Sequence, residues 1–169
     1  MIVYQVYIIG GGVDGFIEST GIKARRRSSA DTTASDLCYH AAETLIEQLG
    51  WDKSEIEALV FVSQTPDNIL PATSCILQQR LGLSKECYTI DISLGCSGWV
   101  YAISVLAALL QNGTIKKGLL LAGDTVTKIC SPEDKSTYPL FGDAGTATAL
   151  EYSPDANGMR FNFNTDGNG

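Results

Sequence analysis

An α/β domain, with a mixed five-stranded sheet covered by helices, is the fold class that this sequence predicts. Three observations carry it. Strand-like and helix-like segments alternate in the order β, α, β, α, β, α, β and then ββ, and such alternation builds a parallel or mixed sheet with helices on its faces. The segments 56–63 and 117–122 are near-continuous apolar runs, the pattern of strands buried on both faces. Glycines or turn residues close most of the segments. No linker, low-complexity tract or internal repeat divides the 169 residues, so they read as one domain or one half of something larger.

Residues 2–9 are β-branched and aromatic and read as the first strand, ended by Gly10, Gly11 and Gly12. Those glycines do not complete a dinucleotide fingerprint, because Gly15 stands one position out of register. After Thr20-Gly21-Ile22, the run Lys23-Ala24-Arg25-Arg26-Arg27 reads as a basic loop, either a solvated face or an anion site for phosphates. Residues 32–49 read as a helix. Asp31, Thr32 and Thr33 offer N-caps, Gly50 lies just past its end, and Leu37, Ala41, Leu45 and Leu49 make one apolar stripe. His40, the single histidine, lies on that helix with no catalytic neighbour and reads as structural.

Residues 56–63 form a buried strand, and Thr65, Pro66, Asp67 and Asn68 are turn chemistry. Pro71 suits the first turn of a helix that runs to Leu81 and stops at Gly82. A strand at residues 88–92 leads to a helix at 99–110 that is apolar on every side and is expected to be buried all round. Asn112 and Gly113 stop it. A third buried strand follows at 117–122, then an irregular loop at 126–138 and a glycine turn at 141–145. Two strands, 146–152 and 159–164, read as an antiparallel hairpin joined at 155–158.

Chemistry concentrates at Cys96. Residues 92–115 contain no Asp, Glu, Lys, Arg or His, and within them Cys96 stands between Gly95 and Gly98, where the strand gives way to the helix. A helix N-terminus carries partial positive charge and unpaired N–H groups. Both favour thiolate over thiol and are expected to lower the pKa of Cys96, and the same N–H groups can stabilise an oxyanion. This is the arrangement of a nucleophile elbow with sulfur in place of oxygen. From the turn alone, a small buried cysteine remains the other reading.

The formal net charge of −7 argues against nucleic acid and anionic membrane as partners. The apolar runs are too short to span a bilayer. No metal-ligand spacing occurs. Five cysteines without a C-x-x-C pair, and no visible signal peptide, point to a reduced, cytoplasmic protein.

Together the turn residues resemble a known family. Asp91-Ile92-Ser93-Leu94-Gly95-Cys96-Ser97-Gly98 is similar to the nucleophile turn of the thiolase superfamily, and most of all to beta-ketoacyl-acyl-carrier-protein synthase III. Thr20-Gly21-Ile22, residues 63–72 with Pro71, Gly123-Asp124, Cys130-Ser131-Pro132 and Phe141-Gly142-Asp143-Ala144-Gly145 stand in that family's order. The resemblance implies a thiolase-like fold of which residues 1–169 are the N-terminal half. The histidine, the asparagine and a further oxyanion glycine of the family would then belong to an absent C-terminal half. It implies transfer of an acyl group from a thioester to Cys96, decarboxylation of malonyl-acyl carrier protein and Claisen condensation of the two.

Other roles come from the same resemblance. Val126 and Phe141 would line the acyl pocket. Leu70 would reach across a homodimer to close the partner's pocket, and, being smaller than the family's frequent phenylalanine, would admit longer or branched acyl chains. Thr20, Arg25 and Lys135 would meet the coenzyme A or phosphopantetheine carrier, and Arg25 to Arg27 could also meet an acidic carrier protein. Gly15 and Ser19 stand where coenzyme-A-using members often have tryptophan and arginine. Lys135 replaces an expected stacking arginine, keeping charge without the planar surface. No bound cofactor or metal is implied, since acyl-CoA or acyl-ACP and malonyl-ACP are substrates. The isolated chain is expected not to condense substrates and, as half of a fold, to self-associate through an uncovered apolar face. A same-fold acyltransferase without decarboxylation, and a non-catalytic partner domain, are the alternatives.

Overall fold

The computed structural model describes residues 3–7, 13–111 and 113–168. The elements are β1 (Val3–Tyr7), α1 (Val13–Thr20), β2 (Ala24–Ser28), α2 (Ala34–Leu49), β3 (Ala58–Val62), α3 (Thr73–Leu81), β4 (Tyr88–Ile92), α4 (Gly98–Leu110), β5 (Lys117–Asp124) and β6 (Ala144–Glu151). A four-stranded sheet has the order β4-β3-β5-β6, with β3 parallel to β4 and β5, and β6 antiparallel to β5. The α/β class therefore holds.

Every residue of β3 is buried, as its unbroken apolar run requires. Successive side chains point to opposite faces. Leu59 and Phe61 pack with α2, α3 and the β5 residues Leu119 and Leu121. Ala58, Val60 and Val62 pack with Leu120 and the α4 residues Ala102, Leu106 and Leu110. The result is three layers with the sheet in the middle.

Glycines set how closely those layers approach. A Cβ on Gly145 would lie 2.5 Å from the Cys38 nitrogen and 2.5 Å from the Leu37 carbonyl carbon, so β6 meets the backbone of α2 directly. A Cβ on Gly123 would lie 2.6 Å from Cys38 Sγ and 2.8 Å from the Ala144 oxygen. On the other face, the three atoms nearest to a Cβ on Gly118 all belong to the Leu106 side chain, the first at 2.5 Å. The close approach also corrects the stripe expected on α2. Ala34, Cys38, Ala42 and Ile46 are buried with Leu37, whereas Leu49 is exposed, because small side chains must face the sheet where it touches the helix. The caps of α2 follow the sequence: Thr33 and Asp36 form a capping box, and Gly50 adopts φ 63°.

Five further readings are corrected. The sheet has four strands rather than five, because β1 pairs antiparallel with β2 in a separate ribbon. The basic run is thus a strand rather than a loop, with Arg25 and Ser28 turned inward and Arg26 and Arg27 exposed. Residues 13–20, to which the sequence assigns no element, form α1. The hairpin at 146–164 does not form. Residues 159–164 are irregular, and a turn closed by Ala156 N–H to the Ser153 oxygen diverts the chain. Phe161 and Phe163 then stack at 5.7 Å, and Phe163 meets Tyr101 of α4 at 4.4 Å, so this segment covers a helix instead of extending a sheet. Lastly, α4 is buried on one face only: Trp99 and Val100 are exposed. Ile2, Ile8, Ile9 and the three glycines at 10–12 lie outside the described residues, as does Asn112.

The glycine contacts make a stability prediction. Gly145→Ala must displace helix backbone and is expected to lower stability by about 1–3 kcal/mol in urea denaturation. Gly15→Ala in α1 meets no heavy atom within 4 Å and is expected to be neutral or stabilising by up to about 1 kcal/mol.

Candidate active site

Cys96 lies in the turn between β4 and α4, as the sequence indicates, and it is exposed. Gly98 donates its N–H to the Gly95 oxygen at 2.8 Å, closing the turn around the thiol. Ser97 is the N-cap of α4 but makes no side-chain cap bond, so no hydroxyl takes up the first amides of the helix. Both flanking glycines lie close to the end of β3, and Gly98 has no room for a side chain. A Cβ on Gly98 would come within 2.7 Å of Val62 Cγ1, and one on Gly95 within 3.0 Å of Gln64 Nε2. The turn therefore rests on the end of β3 at both sides of the cysteine.

Strands β3, β4 and β5 are parallel, so their carboxyl ends share one edge of the sheet, and β6 enters at the same edge because Ala144 pairs with Asp124. That edge is where ligands bind in open α/β sheets. It carries the Cys96 turn, Gln64 and the 65–72 loop, Val126 in a 3-10 turn (Val126–Lys128) after β5, and Phe141 just before β6. Cys96 and Val126 follow β4 and β5, strands whose axes lie roughly 10 Å apart with only β3 between them.

Three aspartates hold this edge together. Asp91 on β4 accepts the N–H groups of Thr73 and Ser74 at 2.8 Å each, capping α3 where its N-cap Ala72 has no side chain to do so. Asp124 on β5 accepts Ser63 Oγ–H at 3.0 Å and Gln64 N–H at 2.7 Å. Asp143 accepts from Ser28 N and Oγ, both at 2.8 Å, and from Thr127 N and Oγ1 at 2.9 and 2.7 Å. Burial pushes the Asp143 carboxyl up, but these four donors outweigh it and hold the group below its ordinary 3.8. In the sequence these aspartates stand only as parts of motifs. The signal was available: a charged residue inside an apolar or glycine run, as Asp91 is in Tyr-Thr-Ile-Asp-Ile, needs polar partners.

The remaining sequence candidates fall into two groups. Arg25 is 7% exposed, donates from Nη1 to the Phe141 oxygen at 2.8 Å and lies 4.1 Å over the Tyr138 ring. It pins the 125–143 loop to β2, while Arg26, Arg27 and Lys135 stay exposed. Thr20 is exposed at the end of α1, its hydroxyl donating to the Phe16 oxygen. Leu70 and Ile69 are 85% and 89% exposed, so within one chain Leu70 encloses nothing. An apolar groove of about 260 Å³, lined by Ala107, Leu110, Leu150, Met159 and Phe161 among others, lies at the far end of the 13-residue helix α4 from Cys96. Among the described residues no group of three His, Cys, Asp or Glu could hold a metal ion, and no helix is long and apolar enough to cross a membrane.

A family model described as 3-Oxoacyl-[acyl-carrier-protein (ACP)] synthase III matches residues 90–167, a span that contains the Cys96 turn, α4 and the Asp143 loop. Over that span the chain resembles that family. Beta-ketoacyl-[acyl-carrier-protein] synthase III of Streptococcus agalactiae is 38% identical over 155 residues, 91% of this chain and 47% of the relative. A putative 3-oxoacyl-[acyl-carrier-protein] synthase 3 of Campylobacter jejuni is 38% identical over 147 residues, 87% of this chain and 41% of the relative. The synthase III relatives share the fold as well. The crystal structure of a 3-oxoacyl-(acyl-carrier protein) synthase from Burkholderia xenovorans superposes with a TM-score of 0.84 and 45% identity over 88% of this chain and 45% of that one. A second, of a 3-oxoacyl-(acyl-carrier-protein) synthase III, gives 0.88 and 32% over 98% of this chain and 54% of that one. The chain spans about half the length of the synthase III relatives it matches.

Two measurements probe this geometry. Alkylation by iodoacetamide, mapped by mass spectrometry, is expected to modify Cys96 and Cys75 in the native chain and to spare Cys38 and Cys87. Both of the latter are buried, which pushes their pKa values up to about 12 and about 11. For Asp143, a depressed native pKa means its stabilisation is fully present above the ordinary carboxylate value and fades as pH falls through the native one. Asp143→Asn is therefore expected to be less stable at pH 7 and to lose less of its remaining stability than the parent as pH falls below the ordinary carboxylate range.

Proposed function

We propose that this chain is the acyl-accepting, N-terminal half of a synthase III-type condensing enzyme, with Cys96 as nucleophile. The observation that carries the reading is an exposed thiol in a glycine-flanked turn at the uncapped start of an uncharged helix, on the carboxyl edge of a parallel sheet. The Cys96 sulfur attacks the carbonyl carbon of an acyl thioester. Backbone N–H groups of the turn and the first turn of α4 receive the oxyanion. The C–S bond to the carrier breaks, the carrier thiol leaves with the proton given up by Cys96, and the acyl group stays on sulfur. A malonyl group on acyl carrier protein then loses CO2. Its enolate carbon attacks the acyl carbonyl, a C–C bond forms, the acyl–sulfur bond breaks, and Cys96 leaves as a thiolate that takes a proton from water.

Val126 and Phe141, on loops of the same edge, are read as walls of the acyl pocket. Exposed Lys135, Arg26 and Arg27 are suited to carrier phosphates or to an acidic carrier protein, with Arg25 holding the loop that presents Lys135 and Thr20 beside the ribbon. The exposed, uncharged outer face of α4 supports a second half of the fold as its cover, and that half would bring the histidine and asparagine that assist decarboxylation. β4 ends the sheet with one edge unpaired among the described residues, and together with exposed Leu70 it supports a homodimer in which Leu70 closes the partner's pocket. Five free cysteines suit a reduced, cytoplasmic setting.

Incubation with acyl-pantetheine thioesters of increasing chain length is expected to add one acyl group at Cys96, with longer or branched chains accepted, and none to Cys96→Ala. Added malonyl-acyl carrier protein is expected to give no β-ketoacyl product with these 169 residues alone. Absence of any adduct on native Cys96 rules out the acyl-acceptor role.

A further inference from the structure

We propose that Asp124 is a positioning residue for Cys96, acting through Gln64; the role rests on the reading of Cys96 as acyl acceptor. A single oxygen of Asp124, Oδ1, accepts four hydrogen bonds from the end of β3. Ser63 Oγ donates at 3.0 Å, Gln64 N at 2.7 Å, Thr65 N at 3.1 Å and Thr65 Oγ1 at 3.2 Å. Thr65 Oγ1 in turn accepts the Thr125 N–H at 2.8 Å, so the residue after Asp124 closes the same ring of bonds. Convergence on one carboxylate oxygen gives residues 63–65 one backbone path as they leave the sheet.

That path decides where the Gln64 side chain stands. Its amide group packs against Gly95, with Nε2, Cδ and Oε1 within 3.0–3.2 Å of where a Cβ would be. On the other side of the cysteine, Val62 packs against Gly98. Cys96 is thus held between two contacts, both made by three consecutive residues of one strand end. Val62 is fixed by its pairing with Ile92 and Ala122. Gln64 lies past the ladder and is fixed through Asp124. Loss of that hold frees the Gly95 side of the turn and lets Cys96 shift relative to the start of α4. A displacement of about 1 Å at a reacting atom is enough to cost much of the rate.

The test measures alkylation of Cys96 by iodoacetamide relative to Cys75, which is exposed on α3 and serves as internal reference. Gln64→Ala removes the packing amide and keeps every bond to Asp124, so the Cys96:Cys75 ratio is expected to fall about fivefold with an unchanged unfolding midpoint. Asp124→Ala is expected to lower the ratio as much, and Asp124→Asn, which keeps an acceptor oxygen, to restore most of it. Newly reactive Cys38 or Cys87 marks unfolding of the Asp124→Ala chain, and the Gln64→Ala result then decides alone. A ratio unchanged in Gln64→Ala, or equally low in Asp124→Asn and Asp124→Ala, overturns the proposal. Alkylation needs no acyl donor, so a parent chain that alkylates at Cys96 and takes up no acyl group refutes the acyl-acceptor reading separately.

Discussion

A parallel sheet has to terminate somewhere, and its last amides then lose their ladder partners in a region too crowded for free access by water. Here that constraint is met by carboxylates. Asp91 takes the opening amides of α3, Asp124 takes those of residues 64 and 65, and Asp143 takes those of Ser28 and Thr127. Each aspartate stands on or beside a strand of the edge that carries Cys96, and each binds a neighbouring segment rather than its own. The loops of this edge are therefore cross-linked to one another by charge-assisted bonds. A nucleophile placed among them inherits a rigid surround without needing a rigid loop of its own.

The parts of the fold legible in the sequence were those governed by local rules. Buried strands β3 and β5 declared themselves by continuous apolar runs, α2 by its caps, and the Cys96 turn by the glycines that surround it. What escaped depended on partners far along the chain. Three consecutive arginines do not look like a strand until β1 pairs with them and Tyr138 and the Phe141 carbonyl receive Arg25. The apolar alternation at 159–164 suits a strand equally well, but here its phenylalanines are used against α4. The α2 stripe was read one position out because leucine outranks alanine and cysteine in hydrophobicity. At a helix that touches a sheet, volume decides.

Helix α4 shows the same limit from the other direction. Composition alone marks it as a helix for the interior, and one face of it is interior, with Ala102, Leu106 and Leu110 sealed against the sheet. Its other face leaves Val100 exposed and Trp99 partly so, the Trp99 indole donating to Thr148 Oγ1 of β6 at 3.1 Å, while Phe163 of the irregular 159–163 segment lies against Tyr101. A sequence encodes the surroundings a helix is built for, whereas one polypeptide displays only the surroundings it supplies. The relatives are about twice as long as the region they share with this chain.

The two faces of the sheet differ in how their obstructions are made. Opposite α4, Gly118 is blocked by the tip of one leucine, Leu106, so volume lost from one partner can be regained by the other. Opposite α2, Gly145 is blocked by the main chain of Leu37 and Cys38, which no exchange of side chains can move. One side of the core is free to drift in composition over many generations of paired change, while the other holds its spacing by geometry that no second-site replacement can restore.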